Sequence, residues 1–322
     1  MTRFLRQSAL TVSIALGCVP IAQSQEWPTR EVSVVIPLPP GVASDTTARI
    51  VLEQVGRQVG QTFVIHNRPG AGGTIGANVV AKSDPDGYAA LVYGSLAAAT
   101  ALYSKLPFDT VNDFAPVVPF GQQPLAIVAP PGRFKNLADL LARARAKPGE
   151  LNYASAGVGS AAHFGAARLT TSAGIQVQHV PFKGGDYFTE IIAGRVHFTV
   201  APLTTLINLI RDGKVMALAV SAKKRSVLLP QVPTLIEAGL PPDSVYPFYS
   251  PVFLPAKTPR TIVEKLHDEV TRALAMPSVQ ERLVKIGMEP MPMSVAEFQT
   301  FFRDDVAANI ALVQAAKIPK QE

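Results

Sequence analysis

Residues Val32–Pro37 read VSVVIP, a continuous apolar and β-branched run that marks a strand covered on both faces. Pro39-Pro40-Gly41 breaks the run. Ser44 or Asp45 then caps a helix predicted over Thr46–Val59, where Ile50, Val51, Val55 and Val59 fall along one side. Thr62–His66 (TFVIH) is the next strand and 67–73 (NRPGAGG) a turn-rich loop. Thr74–Ser83 follows as a small-residue helix and Ala89–Tyr93 as a further strand.

A second series opens at Leu125–Ala129 (LAIVA). Helices are predicted over Leu137–Ala146, from a Ser160 cap to about Ser172, and over Asp186–Ala193 and Leu203–Arg211. Strands alternate with them at Leu151–Ser155, Gln176–Val180, Val196–Ala201 and Ala217–Ser221. A Pro-rich passage, Pro230–Pro259, separates this series from two strong helices, Thr261–Leu274 and Val295–Ala315. Repeated strand–loop–helix units predict an α/β fold with a mainly parallel sheet.

A length of 322 residues is room for two domains. The apolar share, 48%, is enough for real cores, which excludes disorder. A net charge of +6 over this length is too mild to point to nucleic acid. The single cysteine excludes a disulfide framework and a thiolate zinc cluster.

Residues 1–24 are set apart from the fold. Arg3 and Arg6 precede an apolar stretch, and Ala22-Gln23-Ser24 places small residues before Gln25, the pattern of a secretory signal peptide cut there. The alternative is a buried N-terminal helix, against which Gly17 and Pro20 argue. The apolar stretch is too short to span a bilayer. Cys18, in Ala15-Leu16-Gly17-Cys18, loosely matches a lipoprotein cleavage box, so a lipid-anchored form is the alternative to a freely exported one.

Three loops share one chemistry: Leu38–Asp45, Ser155–Ser160 and Phe182–Asp186 each run from a strand through Gly or small residues into a helix. A helix start offers unpaired N–H groups and a partial positive charge, so it receives anions where glycine lets the backbone approach. In open α/β sheets such loops lie where ligands bind. Two on facing domains would clamp a small anion; the alternative is that Gly and Ser there serve only turns and caps.

The ordered motifs make the chain recognisable. They include Val35-Ile36-Pro37-Leu38-Pro39-Pro40-Gly41 with Asp45, Asn67-Arg68-Pro69-Gly70-Ala71-Gly72-Gly73, and Pro85-Asp86-Gly87-Tyr88. Further on stand Leu151-Asn152-Tyr153-Ala154-Ser155-Ala156-Gly157, Val180-Pro181-Phe182-Lys183-Gly184, Val232-Pro233-Thr234 and Glu237-Ala238-Gly239-Leu240. From about Trp27 to Val313 the chain resembles the extracytoplasmic solute receptors of the tripartite tricarboxylate transporter system, the Bug family. The resemblance implies a two-domain α/β periplasmic-binding-protein fold of the Venus flytrap type (type II), each domain a mainly parallel sheet flanked by helices. Residues 25–125 and 249–322 would form one domain, and 126–248 the other. It implies a periplasmic, monomeric receptor without cofactor or metal. That receptor would take a small organic carboxylate, often a dicarboxylate, and deliver it to membrane permease subunits. Backbone amides of the Pro39–Ser44 and Ser155–Ser160 loops would hold the carboxylates, some through water.

The candidate ligand-binding residues are Leu38, Pro39, Gly41, Val42, Ser44, Asp45, Tyr93 and Ser95, with Ser155, Ala156, Gly157, Ser160, His163, Pro181, Lys183, Gly184 and Ala201. Departures from the family pattern concern the ligand. Val42 stands where a second glycine is usual, Leu38 where an aromatic is usual, and Ala201 where an acid often faces the cleft. Loss of that acid weighs against amino acids and favours a simple carboxylate or a more apolar aromatic acid. None of the histidines, His66, His163, His179, His197 and His267, has metal-ligand spacing. Asp45 reads as a helix cap rather than a catalyst. Two other outputs stay open at this point. One is an exported α/β enzyme using Ser160 or His163, for which no base–nucleophile–orienter set is visible. The other is a receptor that signals to a membrane sensor.

Overall fold

A computed structural model of the chain describes residues 27–322; the expected export signal, the cut before Gln25 and Cys18 lie outside the described residues. β1 (Val32–Ile36), α1 (Ala43–Val59), β2 (Phe63–Asn67), α2 (Thr74–Ala81) and β3 (Ala89–Val92) alternate as the hydrophobic pattern requires. A short α3 (Ala99–Leu102) leads to β4 (Phe114–Gln123). The middle of the chain is β5 (Leu125–Ala129), α4 (Leu137–Ala146), β6 (Asn152–Ser155), α5 (Ala161–Ala173) and β7 (Gln178–Pro181). It continues through α6 (Tyr187–Ile192), β8 (Thr199–Pro202), α7 (Leu203–Arg211) and β9 (Met216–Ser221). β10 (Phe248–Pro255), α8 (Arg260–Ala275), α9 (Pro277–Lys285) and α10 (Val295–Ala315) close it.

The strands form one five-stranded sheet, ordered β2-β1-β3-β10-β4, and a middle system of β8-β5-β9 and β6-β7. A parallel bridge from Tyr153 to Phe198, with the Ala154 N–H on the Phe198 carbonyl at 3.0 Å, ties β6 to the segment leading into β8. The mainly parallel arrangement holds, with one reversed strand in each sheet. β10 runs antiparallel to β3 and β4, and β5 antiparallel to β8 and β9. Both reversed strands are those the chain enters on passing from one sheet to the other. They start at the seam where the strand–helix units end, so they run away from it.

The five-stranded sheet and the β8-β5-β9 sheet are covered on both faces at their central strands. In β1, Val34 and Ile36 pack with α1 and α8 through Val51, Val55 and Leu266, while Val35 packs on the other side with Phe298 and Phe302 of α10. The middle sheet repeats this, with Ile127 in one core and Ala126 and Val128 in the other. That two-sided burial is why the strands read as unbroken apolar runs.

α1 begins at Ala43, three residues before its expected start, with Val42 in the cap position and no side-chain cap. Ser44 and Asp45 therefore sit in the first turn rather than at the cap, which corrects that reading of Asp45. β4, α9 and β10 are additions to the sequence reading.

A buried polar cluster joins the two halves. The Arg168 guanidinium of α5 lies 3.8 Å from the Tyr246 ring centre and donates to Asn309 Oδ1 of α10 at 3.2 Å. The Tyr246 and Tyr249 hydroxyls donate to Asp305 at 3.1 and 2.6 Å. Burial raises the Asp305 pKa, and the two tyrosines, Arg168 and Asn309 oppose that rise.

Candidate functional site

A cavity of about 360 Å³ lies between the two sheets. Leu38, Pro39, Val42, Ala43 and Ser44 form one side, at the end of β1 and the start of α1. Tyr93 and Ser95 follow from the end of β3. Facing them are Ala156, Val158, Ser160, Ala161 and Ala162 at the start of α5, with Phe182, Lys183, Tyr187 and Phe188 around the start of α6. Pro202 and Thr205 add the start of α7.

Helix starts thus converge on one space, and their N-terminal N–H groups have no partners within the helix. At α1 Val42 provides no side-chain cap, and none is present at α6 or α7, whereas Ser160 caps α5. The Ser44 hydroxyl is buried, lies on the cavity wall and has no hydrogen-bond partner. Such a group is costly to leave unpaired, so it invites a ligand acceptor. Among the described residues, Lys183 is the one charged side chain that walls the cavity.

Several expected site residues stand behind the wall instead. Gly41 holds φ +83°, a conformation that L residues rarely adopt, and its N–H donates to Asp45 Oδ2 at 2.9 Å. Asp45 also receives Arg49 and the Asn67 amide, at 3.0–3.1 Å. Burial works against its ionisation, yet the Arg49 pairing and the Gly41 and Asn67 hydrogen bonds hold the carboxyl below the usual range. Asp45 therefore fixes the loop's shape from beneath.

On the facing loop, Ser155 is fully buried and its hydroxyl lies 2.7 Å from His179 Nε2. The Gly157 N–H donates to that same hydroxyl at 3.1 Å. His163 is buried too, and its Nδ1 accepts the Gly159 N–H at 3.2 Å. Ser160 caps α5, accepting the His163 N–H at 3.2 Å and donating to the Gly157 carbonyl at 2.8 Å. Burial lowers the His163 pKa to about 3, assisted by His179, and lowers the His179 pKa to about 4. Both rings are neutral at ordinary pH. Ser155 and His179 form a hydroxyl–imidazole pair, but among the described residues no carboxylate orients His179, and Ser155 is absent from the cavity wall.

Nine of the expected residues come together on the wall: Leu38, Pro39, Val42, Ser44, Tyr93, Ser95, Ala156, Ser160 and Lys183. Gly41, Asp45, Ser155, Gly157, His163 and Pro181 do not line it, and Gly184 lies outside the residues whose surroundings are described. Ala201 is corrected as a cleft-facing position: it is fully buried in the core, paired with Ala126 on β5, and the wall begins at Pro202. Sequence reasoning left out the loop 69–73, which runs from β2 into α2 and obeys the same strand-to-helix logic. There the Tyr93 hydroxyl donates to the Gly72 carbonyl. Gly73, at φ +100°, is needed because a Cβ would sit 2.6 Å from the Tyr93 ring. Tyr187, Phe188 and Phe248 were also left out, Phe248 because it opens a strand inside the Pro-rich passage.

Known proteins resemble this chain over most of its length. A protein from the tcbD-tcbE intergenic region of Pseudomonas sp. strain P51 is 38% identical over 267 residues, 82% of this chain and 79% of its own. The Rhodopseudomonas palustris protein Rpa4515, solved with adipate, is 32% identical with TM-score 0.86, covering 92% of this chain and 100% of the other. MatC (Rpa3494) of the same organism, solved with bound malate, is 31% identical with TM-score 0.82, covering 89% and 100%. The family model described as tripartite tricarboxylate transporter family receptor matches residues 47–318. With two α/β sheets meeting at a cavity and the ordered loops that shape it, the chain belongs to the tripartite tricarboxylate transporter receptor family.

Proposed function

We propose that this chain is a periplasmic solute receptor that holds a small organic carboxylate in the cavity between its two domains and delivers it to permease subunits of a tripartite tricarboxylate transporter. The domains are taken as 25–125 with 249–322, and 126–248. One observation carries the reading: the uncapped start of α1 and the unpartnered Ser44 hydroxyl share one wall of a cavity whose single charged side chain, among the described residues, is a lysine. Adipate and malate in the two solved relatives support a carboxylate as ligand.

Backbone donors and helix ends are suited to this work because they hold charge without bringing a neutralising side chain into a closing cleft. A ligand closes a two-domain receptor only if it binds the closed arrangement more tightly than the open one. Donors on both sides of the cavity supply that difference. The experiment is to incubate the purified chain with a panel of carboxylic acids, following melting temperature and product in the same samples. A receptor gains about 2.7 kcal/mol when ligand stands at a hundred times Kd, and makes no product. Product above the uncatalysed background, or a melting temperature that no acid moves, would contradict the proposal.

A further inference from the structure

We infer that the ligand is an aromatic monocarboxylate, its carboxylate at the start of α1 beside Ser44 and its ring against Phe182, Tyr187 and Phe188. The inference rests on the receptor reading above and narrows it. Its basis is an inequality between the two sides of the cavity.

On the α1 side the donors are open. Val42 gives no side-chain cap, and the buried Ser44 hydroxyl has no partner. On the facing side three of the loop's N–H groups are engaged within the protein. The Gly157 N–H is on Ser155, the Gly159 N–H on His163 Nδ1, and the Ser160 N–H on the Gly157 carbonyl at 3.2 Å. The Ser160 hydroxyl is engaged as well, so the helix amides left at the start of α5 have no free hydroxyl beside them. His163 and His179 hold this arrangement from behind, stacked with ring centres 4.2 Å apart. A carboxylate therefore finds a better-prepared seat at α1 than at α5.

Three aromatic residues, Phe182, Tyr187 and Phe188, stand together on the remaining wall. Tyr187 and Phe188 lie with ring centres 4.1 Å apart, and Phe182 precedes the exposed Lys183 on the same loop. A flat apolar ring gains from burial against these side chains and from offset or edge contacts with them. A second carboxylate carried to that end would lose its water beside two phenylalanine rings that return no hydrogen bond, with the Tyr187 hydroxyl the one ring donor there. Lys183, on an exposed loop, offsets little of that cost.

The test is titration calorimetry of the whole exported chain with 4-methylbenzoate and terephthalate, which share a ring and differ in the second carboxylate, with adipate as a flexible dianion. The expected result is 4-methylbenzoate binding at least about tenfold more tightly than either dicarboxylate. The Phe188→Ala variant, a half-buried position, should erase most of that preference while its melting temperature without ligand stays near that of the parent. Equal or tighter binding of terephthalate or adipate would overturn the inference and leave the carboxylate receptor standing. Binding of none of the three would bring both down. An unchanged preference in Phe188→Ala would remove the aromatic wall from the account.

Discussion

The imidazoles of His163 and His179 stack at an interplanar angle of 11°, beneath the loop that faces α1. His163 grips that loop through Gly159, and His179 grips it through Ser155. Two neutral buried rings thus shape a wall that they do not enter. Their titration gives a signed expectation. Burial holds both below the ordinary histidine value, at about 3 and about 4. In the unfolded chain both bind protons near the ordinary value of about 6.5. Their contribution to stability is therefore complete above that value and is lost as pH falls toward the folded values. Thermal unfolding followed from neutral pH down should show a falling melting temperature in that window. A His179→Phe variant should flatten the fall, and an unchanged slope would contradict the assignment.

Gly41 sets the loop entering α1 without touching the cavity. Its φ of +83° is strained for any side chain, although a Cβ there would meet nothing within 4 Å. Gly41→Leu should cost about 1–2 kcal/mol of stability through backbone strain alone. Ligand-induced stabilisation should fall much further, because the start of α1 moves. Denaturant melts with and without ligand separate the two effects.

The Tyr249 hydroxyl donates to the buried Asp305 carboxylate at 2.6 Å. Tyr249→Phe leaves that acid one donor short and should destabilise the fold by about 2 kcal/mol. Chemical denaturation measures this directly. Because Tyr246 and Arg168 tie the same acid to α5, the double variant Tyr249→Phe with Tyr246→Phe should depart from additivity.

Ala201 offers a test of placement. A cleft-facing position would accept an acid with only a change in ligand preference. In the core, paired with Ala126, Ala201→Asp buries an unpartnered carboxylate and should cost about 3 kcal/mol or more. A soluble, normally stable variant with altered ligand preference would contradict the placement.

The hydrophobic pattern carried much of the fold. α4 and α7 span their expected residues, and β1 and α5 differ from expectation by a residue at their ends. β4 and β10 were missed for one reason: each contains two prolines, which normally argue against a strand. β4 tolerates Pro116 and Pro119 because it is the edge of its sheet. In β10 the register shifts between Tyr249 and Pro251, which relieves the ladder there. α9 is short and starts at Pro277, so it offered little periodicity. At the site, strand-to-helix loops were legible as motifs because their glycines and small residues are local. The His163–His179 stack was not legible, since it joins two separate strand–helix units and no spacing encodes it. Ala201 was set at the cleft by the family resemblance, and alternation along β8 offered no check because both faces are buried.

The central claim is tested most directly by a crystal structure of the chain grown with 4-methylbenzoate. The expected result is a carboxylate within hydrogen-bond distance of the Ser44 hydroxyl and the first amides of α1, with the ring against Phe182 and Phe188. Ligand seated instead in the separate cavity walled by Met288, Met291 and His267, with the space between the two sheets holding only water, would contradict it.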